Sequence, residues 1–244
     1  MKRIIFFCFI SACILFSSCK KSSKTTATTT PNASPQPYGE LTASKVFTYN
    51  SSTGTLSAPI NNGYADFRTD IQSISSVIQV GGVWANGTKF KFQPASTTYA
   101  DTTNILTMNP TTWQVTGAGS IPSFTYTNND NLPAYTGYIS LPDTIYKNQN
   151  LSLQVNGVSG ADEIEVSFYN NTIPSANIYQ SKSGGVLTNN TFSFSSSSLS
   201  VLPTGPSSPT TLIVSVFKNN PQVISNVNFR FVSQLEINKQ VYIK

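Results

Sequence analysis

Three side chains in one short stretch could recognise a ligand: Trp84, Lys89 and Lys91 in "GGVWANGTKFKF". Asn86-Gly87 between two alternating runs predicts a two-residue hairpin. Pairing outward from that turn sets Ala85 opposite Thr88, Trp84 opposite Lys89, Val83 opposite Phe90 and Gly81 opposite Phe92. Opposed residues share a face, so Val83, Phe90 and Phe92 take the core side and Trp84 shares the other side with Lys89 and Lys91. An exposed indole can stack on a flat ligand face, including a sugar ring, or anchor a protein interface. The competing reading packs Trp84 under another strand, loop or domain, with Lys89 giving a cation–π contact. Trp113 in "TTWQVTG" reads as core or inter-domain packing, and Tyr126, Tyr135 and Tyr138 as packing near a domain junction.

Catalytic chemistry is thinner. The chain has no histidine, which removes imidazole acid–base catalysis, His-containing zinc sites and Ser-His-Asp or Cys-His arrangements. No G-x-S-x-G, phosphate-loop or dinucleotide fingerprint occurs. An S-x-x-K spacing, Ser215 to Lys218, falls in a strand-like run, where residues three apart point to opposite faces. Beyond the leader there are ten carboxylates, and two of them could in principle form a glycosidase pair. Asp66 and Asp70 read as a solvated loop. Asp162, Glu163 and Glu165 flank a strand start and read as solvated or structural, without the spacing of a calcium loop. The expectation is a non-enzyme with no cofactor and no metal.

What must position these residues follows from the rest of the chain. Met1-Lys2-Arg3 is followed by the uncharged run "IIFFCFISACILF", Ile4 to Phe16. That run is too short for a bilayer, which needs about 20 residues, and fits the apolar region of a secretory signal. Ser17 and Ser18 are small, as cleavage requires, and Cys19 follows at once. A bacterial lipoprotein needs a cysteine there, because its thiol is acylated and becomes the anchor. "LFSSC" resembles that lipobox; "ISAC" matches it more closely but leaves too short an apolar run before Cys13. The expected mature start is Cys19. Cys8 and Cys13 then leave with the leader, and the rest has no disulfide framework.

The net charge of +5 has a local origin. Lys2 and Arg3 belong to the leader, and Lys20, Lys21 and Lys24 sit beside the lipid. The remaining ten basic residues balance the ten acids, so no nucleic-acid footprint is present. Residues 19–38 are expected to be a flexible Ser/Thr/Lys tether, too poor in apolar residues to offset its ordering entropy.

From Gly39 the pattern becomes short alternating runs separated by Asn, Ser and Pro, rich in Thr, Val, Ile, Tyr and Phe. "NLSLQVNG", "DEIEVSFYN", "TFSFS" and "NVNFRF" each alternate, and "TTLIVSVF" is apolar on both faces, as in a central strand. In the last ten residues Leu235, Ile237, Val241 and Ile243 share a face, with Lys239 as the exception. The expected fold is all-β with two β-sandwich-type domains: a β-rich unit at 39–136 and an Ig-like sandwich at 137–244.

The lipobox, the Thr/Ser tether, "TWQVTGAGSIPSFTYTN", "LPDTIYKNQNLSLQVNGVSGADEIEV" and "FSFSSSSLSVLPTGP" together resemble uncharacterised cell-envelope lipoproteins of Bacteroidota. The resemblance implies an outer-membrane lipoprotein with a C-terminal Ig-like domain and no assigned activity. In that group acidic residues after the lipidated cysteine accompany export to the cell surface; Lys20, Lys21 and Lys24 stand here instead, which favours the periplasmic face. Asp101-Thr102-Thr103 and Asp143-Thr144-Ile145 resemble the O-glycosylation pattern of the same bacteria, at Thr102 and Thr144. The functional expectation is a lipid-anchored module binding a glycan or an envelope protein, or a structural component with no small-ligand site.

Overall fold

The computed structural model describes residues 37–70, 76–170, 173, 176–187, 189–205 and 209–244. The expected signal segment, Cys19 and the tether as far as residue 36 lie outside the described residues. Tyr38, expected at the end of the tether, opens the first strand.

The fold is all-β. The first half of the chain supplies β1 (Tyr38–Asn50), β2 (Thr55–Leu56), β3 (Ile60–Arg68), β4 (Gly82–Ala85), β5 (Thr88–Lys89), β6 (Lys91–Gln93), β7 (Thr98–Ala100), β8 (Thr111–Thr116), β9 (Phe124–Asn128) and β10 (Ala134–Tyr135). The second half supplies β11 (Thr144–Ile145), β12 (Leu151–Asn156), β13 (Val158–Ser159), β14 (Glu163–Tyr169), β15 (Ile178–Ser183), β16 (Asn189–Phe194), β17 (Thr210–Ile224) and β18 (Val227–Ile243). Alternation dictates the burial: in β16, Asn190, Phe192 and Phe194 are buried while their neighbours are exposed.

The second half is a sandwich. One layer runs β15-β14-β17-β18, the other contains the β12-β16 pair, and β11 runs parallel to the end of β18. That is the strand arrangement of an immunoglobulin-like fold. Leu153, Val155, Phe192 and Phe194 pack against Ile164, Val166, Phe168, Leu212, Val214 and Val216. Gln180 of β15 joins the layers: its side-chain amide donates to the Ser193 carbonyl and accepts from the Ser193 N–H.

Two strands do not stop where this sandwich stops. β17 and β18 continue as a hairpin of 15 and 17 residues, turning at Ser225-Asn226, both with positive φ, as a tight primed turn demands. Beyond the sandwich, β18 takes β1 as a parallel neighbour from Tyr38↔Asn228 to Tyr49↔Lys239. β3, β7 and β6 extend the same sheet, which counts ten strands with β2 on β1 and β11 on β18. A four-stranded sheet, β5-β4-β8-β9, packs on this extension. There Phe124 lies 4.6 Å from Phe229 and Tyr126 stacks on Phe231 at 4.1 Å between ring centroids.

The register puts Phe229, Phe231, Ile237, Val241 and Ile243 on one face of β18, so two hydrophobic clusters lie along the same side of one long sheet. Each cluster draws on both sides of position 136. Tyr49 belongs to the C-terminal one; Val227, Phe229 and Phe231 belong to the N-terminal one. The expected units 39–136 and 137–244 therefore share a sheet.

Lys239 sits on this buried face, 1% exposed. Its ammonium donates to the Leu141 carbonyl, pairs with Asp143 Oδ1 at 2.9 Å and lies 5.0 Å from the Tyr49 ring centroid. The lysine stem fills core space while its head reaches the rim. Hydrogen bonds from Ser51 and then Lys239 hold the Asp143 carboxyl below the usual carboxylate range.

Candidate functional site

Trp84 and Lys89 stand on the outer face of the four-stranded sheet. The Asn86-Gly87 turn has φ of 46° and 81°, which suits the primed turn that closes β4 on β5. Trp84 opposes Lys89 and Ala85 opposes Thr88, and the Phe90 N–H donates to the Val83 carbonyl at 2.9 Å. Val83, Ala85 and Phe90 are buried, so Trp84 points away from the core and is half-buried.

What half-buries it lies partly on its own strand. A Cβ on Gly82 would come within 2.4 Å of the indole. The six-membered ring therefore takes the space that a side chain at Gly82 would need, two residues back and on the same face. The Lys89 Nζ stands 5.4 Å from the ring centroid, within cation–π range. Gln114 of β8 opposes Trp84 from the other side, and Thr125 of β9 opposes Gln114.

Lys91 does not join them, contrary to the sequence-based pairing. After Phe90 the chain leaves this sheet, and Lys91 pairs with Ala100 of β7 at the rim of the ten-stranded sheet. Phe92 opposes Tyr99 rather than Gly81. The switch lets Phe90 pack edge-on against Trp113, 5.5 Å between centroids, in the N-terminal core. Trp113 is fully buried.

Thr102 is exposed beside buried Asp101, whose carboxylate accepts from the Thr103 N–H and hydroxyl. Thr144 is half-buried in β11, paired with Tyr242. Asp66, expected in a loop, is buried in β3, where Arg68 Nε donates to it at 2.6 Å. Two residues apart on a strand, the pair shares a face.

The carboxylates gather in one place. Glu165 and Glu236 flank Ser215 on neighbouring strands, and Glu163 lies one step along β14. Burial, then the charges of Glu163 and Glu236, pushes the Glu165 carboxyl up from 4.5 to about 7. Burial also raises Glu163 and Glu236. Glu163 is 5% exposed and is thus no solvated residue. A cavity of about 390 Å³ is lined by Tyr38, Asn219 and Arg230, the last two in contact with Glu163, and another of about 520 Å³ by Lys45, Ile105 and Met108; none of the three glutamates lines either. Among the described residues, no three Asp or Glu side chains are grouped to hold a metal ion, and no helix is long and apolar enough to cross a membrane.

Comparison with protein-family models, with curated proteins and with solved structures gives no match. The residues that the sequence reading missed are Gly82, Gln114 and Thr125. A glycine two residues before an outward-facing tryptophan was the available signal for the first. The other two needed the β4–β8–β9 pairing.

Proposed function

We propose that this chain is a lipid-anchored protein of the bacterial cell envelope that binds a glycan or protein partner and catalyses no reaction. The observation that carries the binding reading is the indole of Trp84, resting against Gly82 at an open sheet face with only the end of a flexible side chain, the Lys89 ammonium, over its ring. A rigid aromatic surface with a cation alongside is a recognition element for a flat or hydroxylated ligand. The anchor reading rests on the charged start, the short apolar run and Cys19 after two serines. Within it, Lys20, Lys21 and Lys24 favour the periplasmic face of the outer membrane. A second reading, a spacer or assembly component, draws support from the ten-stranded sheet that ties both cores together.

Two outcomes are expected. Trp84→Ala, an open-face change that leaves the fold intact, weakens capture of glycans or envelope proteins about tenfold; unchanged binding in a glycan array or pull-down removes Trp84 from recognition. A clickable fatty acid labels the wild-type chain but not Cys19→Ala, and label on the variant overturns the anchor assignment.

A further inference from the structure

The flat face around Trp84 is larger than one indole. Lys89, Trp84, Gln114 and Thr125 form a single row, one residue from each of β5, β4, β8 and β9. At about 4.8 Å between strands the row spans about 14 Å, longer than a single sugar ring. Gln114 and Thr125 are exposed. On one side lies a second row, Thr112 and Thr127, whose hydroxyls hydrogen-bond at 2.9 Å. On the other, Gly82 opposes exposed Thr116.

The chemistry of these rows selects among partners. Hydroxyls and an amide both donate and accept, as the hydroxyls of a sugar do. Lys89 is the one charged side chain in the three rows, which is too few for a polyanion. Trp84 is their one large apolar side chain, whereas the centre of a protein interface gathers several aromatic and aliphatic anchors.

We infer that this face binds an extended, neutral oligosaccharide laid across the four strands, with one ring stacked on Trp84 in the place of the Lys89 ammonium, which swings aside, and the neighbouring rings hydrogen-bonded by Gln114 and Thr125. The inference rests on the reading of Trp84 as a binding residue and adds the ligand class and its direction. Gly82 is a positioning residue: a Cβ there would overlap the six-membered ring of Trp84, so only glycine leaves the indole room in this position.

The test is calorimetry on the full chain in detergent, with cellohexaose, xylohexaose and mannohexaose as probes beside the matching monosaccharides. At least one hexasaccharide is expected to bind at least about tenfold more tightly than its monosaccharide. Gln114→Ala and Thr125→Val are each expected to weaken that hexasaccharide about two- to tenfold and to leave the monosaccharide unchanged. Gly82→Ala, which keeps the indole but tilts it, weakens both. Equal affinity for hexasaccharide and monosaccharide overturns the extended site while leaving Trp84 as a binding residue. Binding of none of the probes overturns the inference, as does preference for an oligogalacturonate that Lys89→Ala abolishes. Binding that survives Trp84→Ala overturns the underlying reading itself.

Discussion

Glu165→Gln is expected to stabilise the protein by about 2–3 kcal/mol at pH 8 and by less than about 1 kcal/mol at pH 5. The Glu165 carboxyl is raised from 4.5 to about 7, first by burial and then by Glu163 and Glu236. A carboxyl raised in this way supports the fold while protonated. That contribution is complete below the unfolded value near 4.5 and is lost as pH rises through about 7. At pH 8 the ionised Glu165 carboxylate is buried close to Glu163 on its own strand β14 and to Glu236 of β18, with Ser215 of the intervening β17 between Glu165 and Glu236. Glutamine keeps the shape and removes both the desolvated charge and its repulsion of the other two. Urea unfolding of both proteins at pH 5 and pH 8 reads the effect, and equal midpoints at pH 8 would show that Glu165 titrates normally. The wild-type protein should itself lose stability between pH 5 and pH 8.

This carboxylate group shows where sequence reading stops. Alternation correctly places Glu163, Glu165 and Glu236 opposite the apolar positions of their strands, yet period 2 says nothing about which strands are neighbours. Only the β14-β17-β18 order brings the three together. The same limit applies to Trp84. Its hairpin partner Lys89 follows from Asn86-Gly87, a local signal, whereas Gln114 lies 30 positions on and depends on sheet order. Lys91 was misplaced because a strand that changes sheets keeps an unbroken alternation through the switch. Asn219-Asn220-Pro221, of turn-forming residue types, lies inside β17. The strand continues through it, Pro221 opposing Arg230. β14 pairs with β17 only as far as Phe217, so Pro221 lies where its missing N–H interrupts no ladder among the described strands. Lys239 broke the alternation for a reason no pattern carries: its Asp143 and Leu141 partners come from the segment leading into β11.

Because β18 lines both cores, damage to either should be felt in the other. Phe231 is fully buried and packed against Tyr126, Phe124 and Phe229. Phe231→Ala is expected to cost about 3–5 kcal/mol, the transfer of the ring plus the cavity it leaves. Phe168 is fully buried in the other core, edge-on to Phe194 at 5.1 Å, and its truncation falls in the same range. The informative quantity is where each loss appears. The chain has two tryptophans, and in a Trp84→Phe background the indole-selective fluorescence comes from Trp113 alone, in the N-terminal core. If the two clusters unfold as one unit, Phe168→Ala lowers the Trp113 midpoint in urea as far as Phe231→Ala does, although it lies in the opposite cluster. A Trp113 transition that moves with Phe231→Ala and stays fixed with Phe168→Ala would mean that the β17–β18 hairpin melts in its middle. The expected result is a single coupled transition. Splitting the clusters would require breaking β17 and β18 across continuous ladders that run from Thr210↔Val241 to Ile224↔Val227 and, on the other side of β18, from Tyr38↔Asn228 to Tyr49↔Lys239.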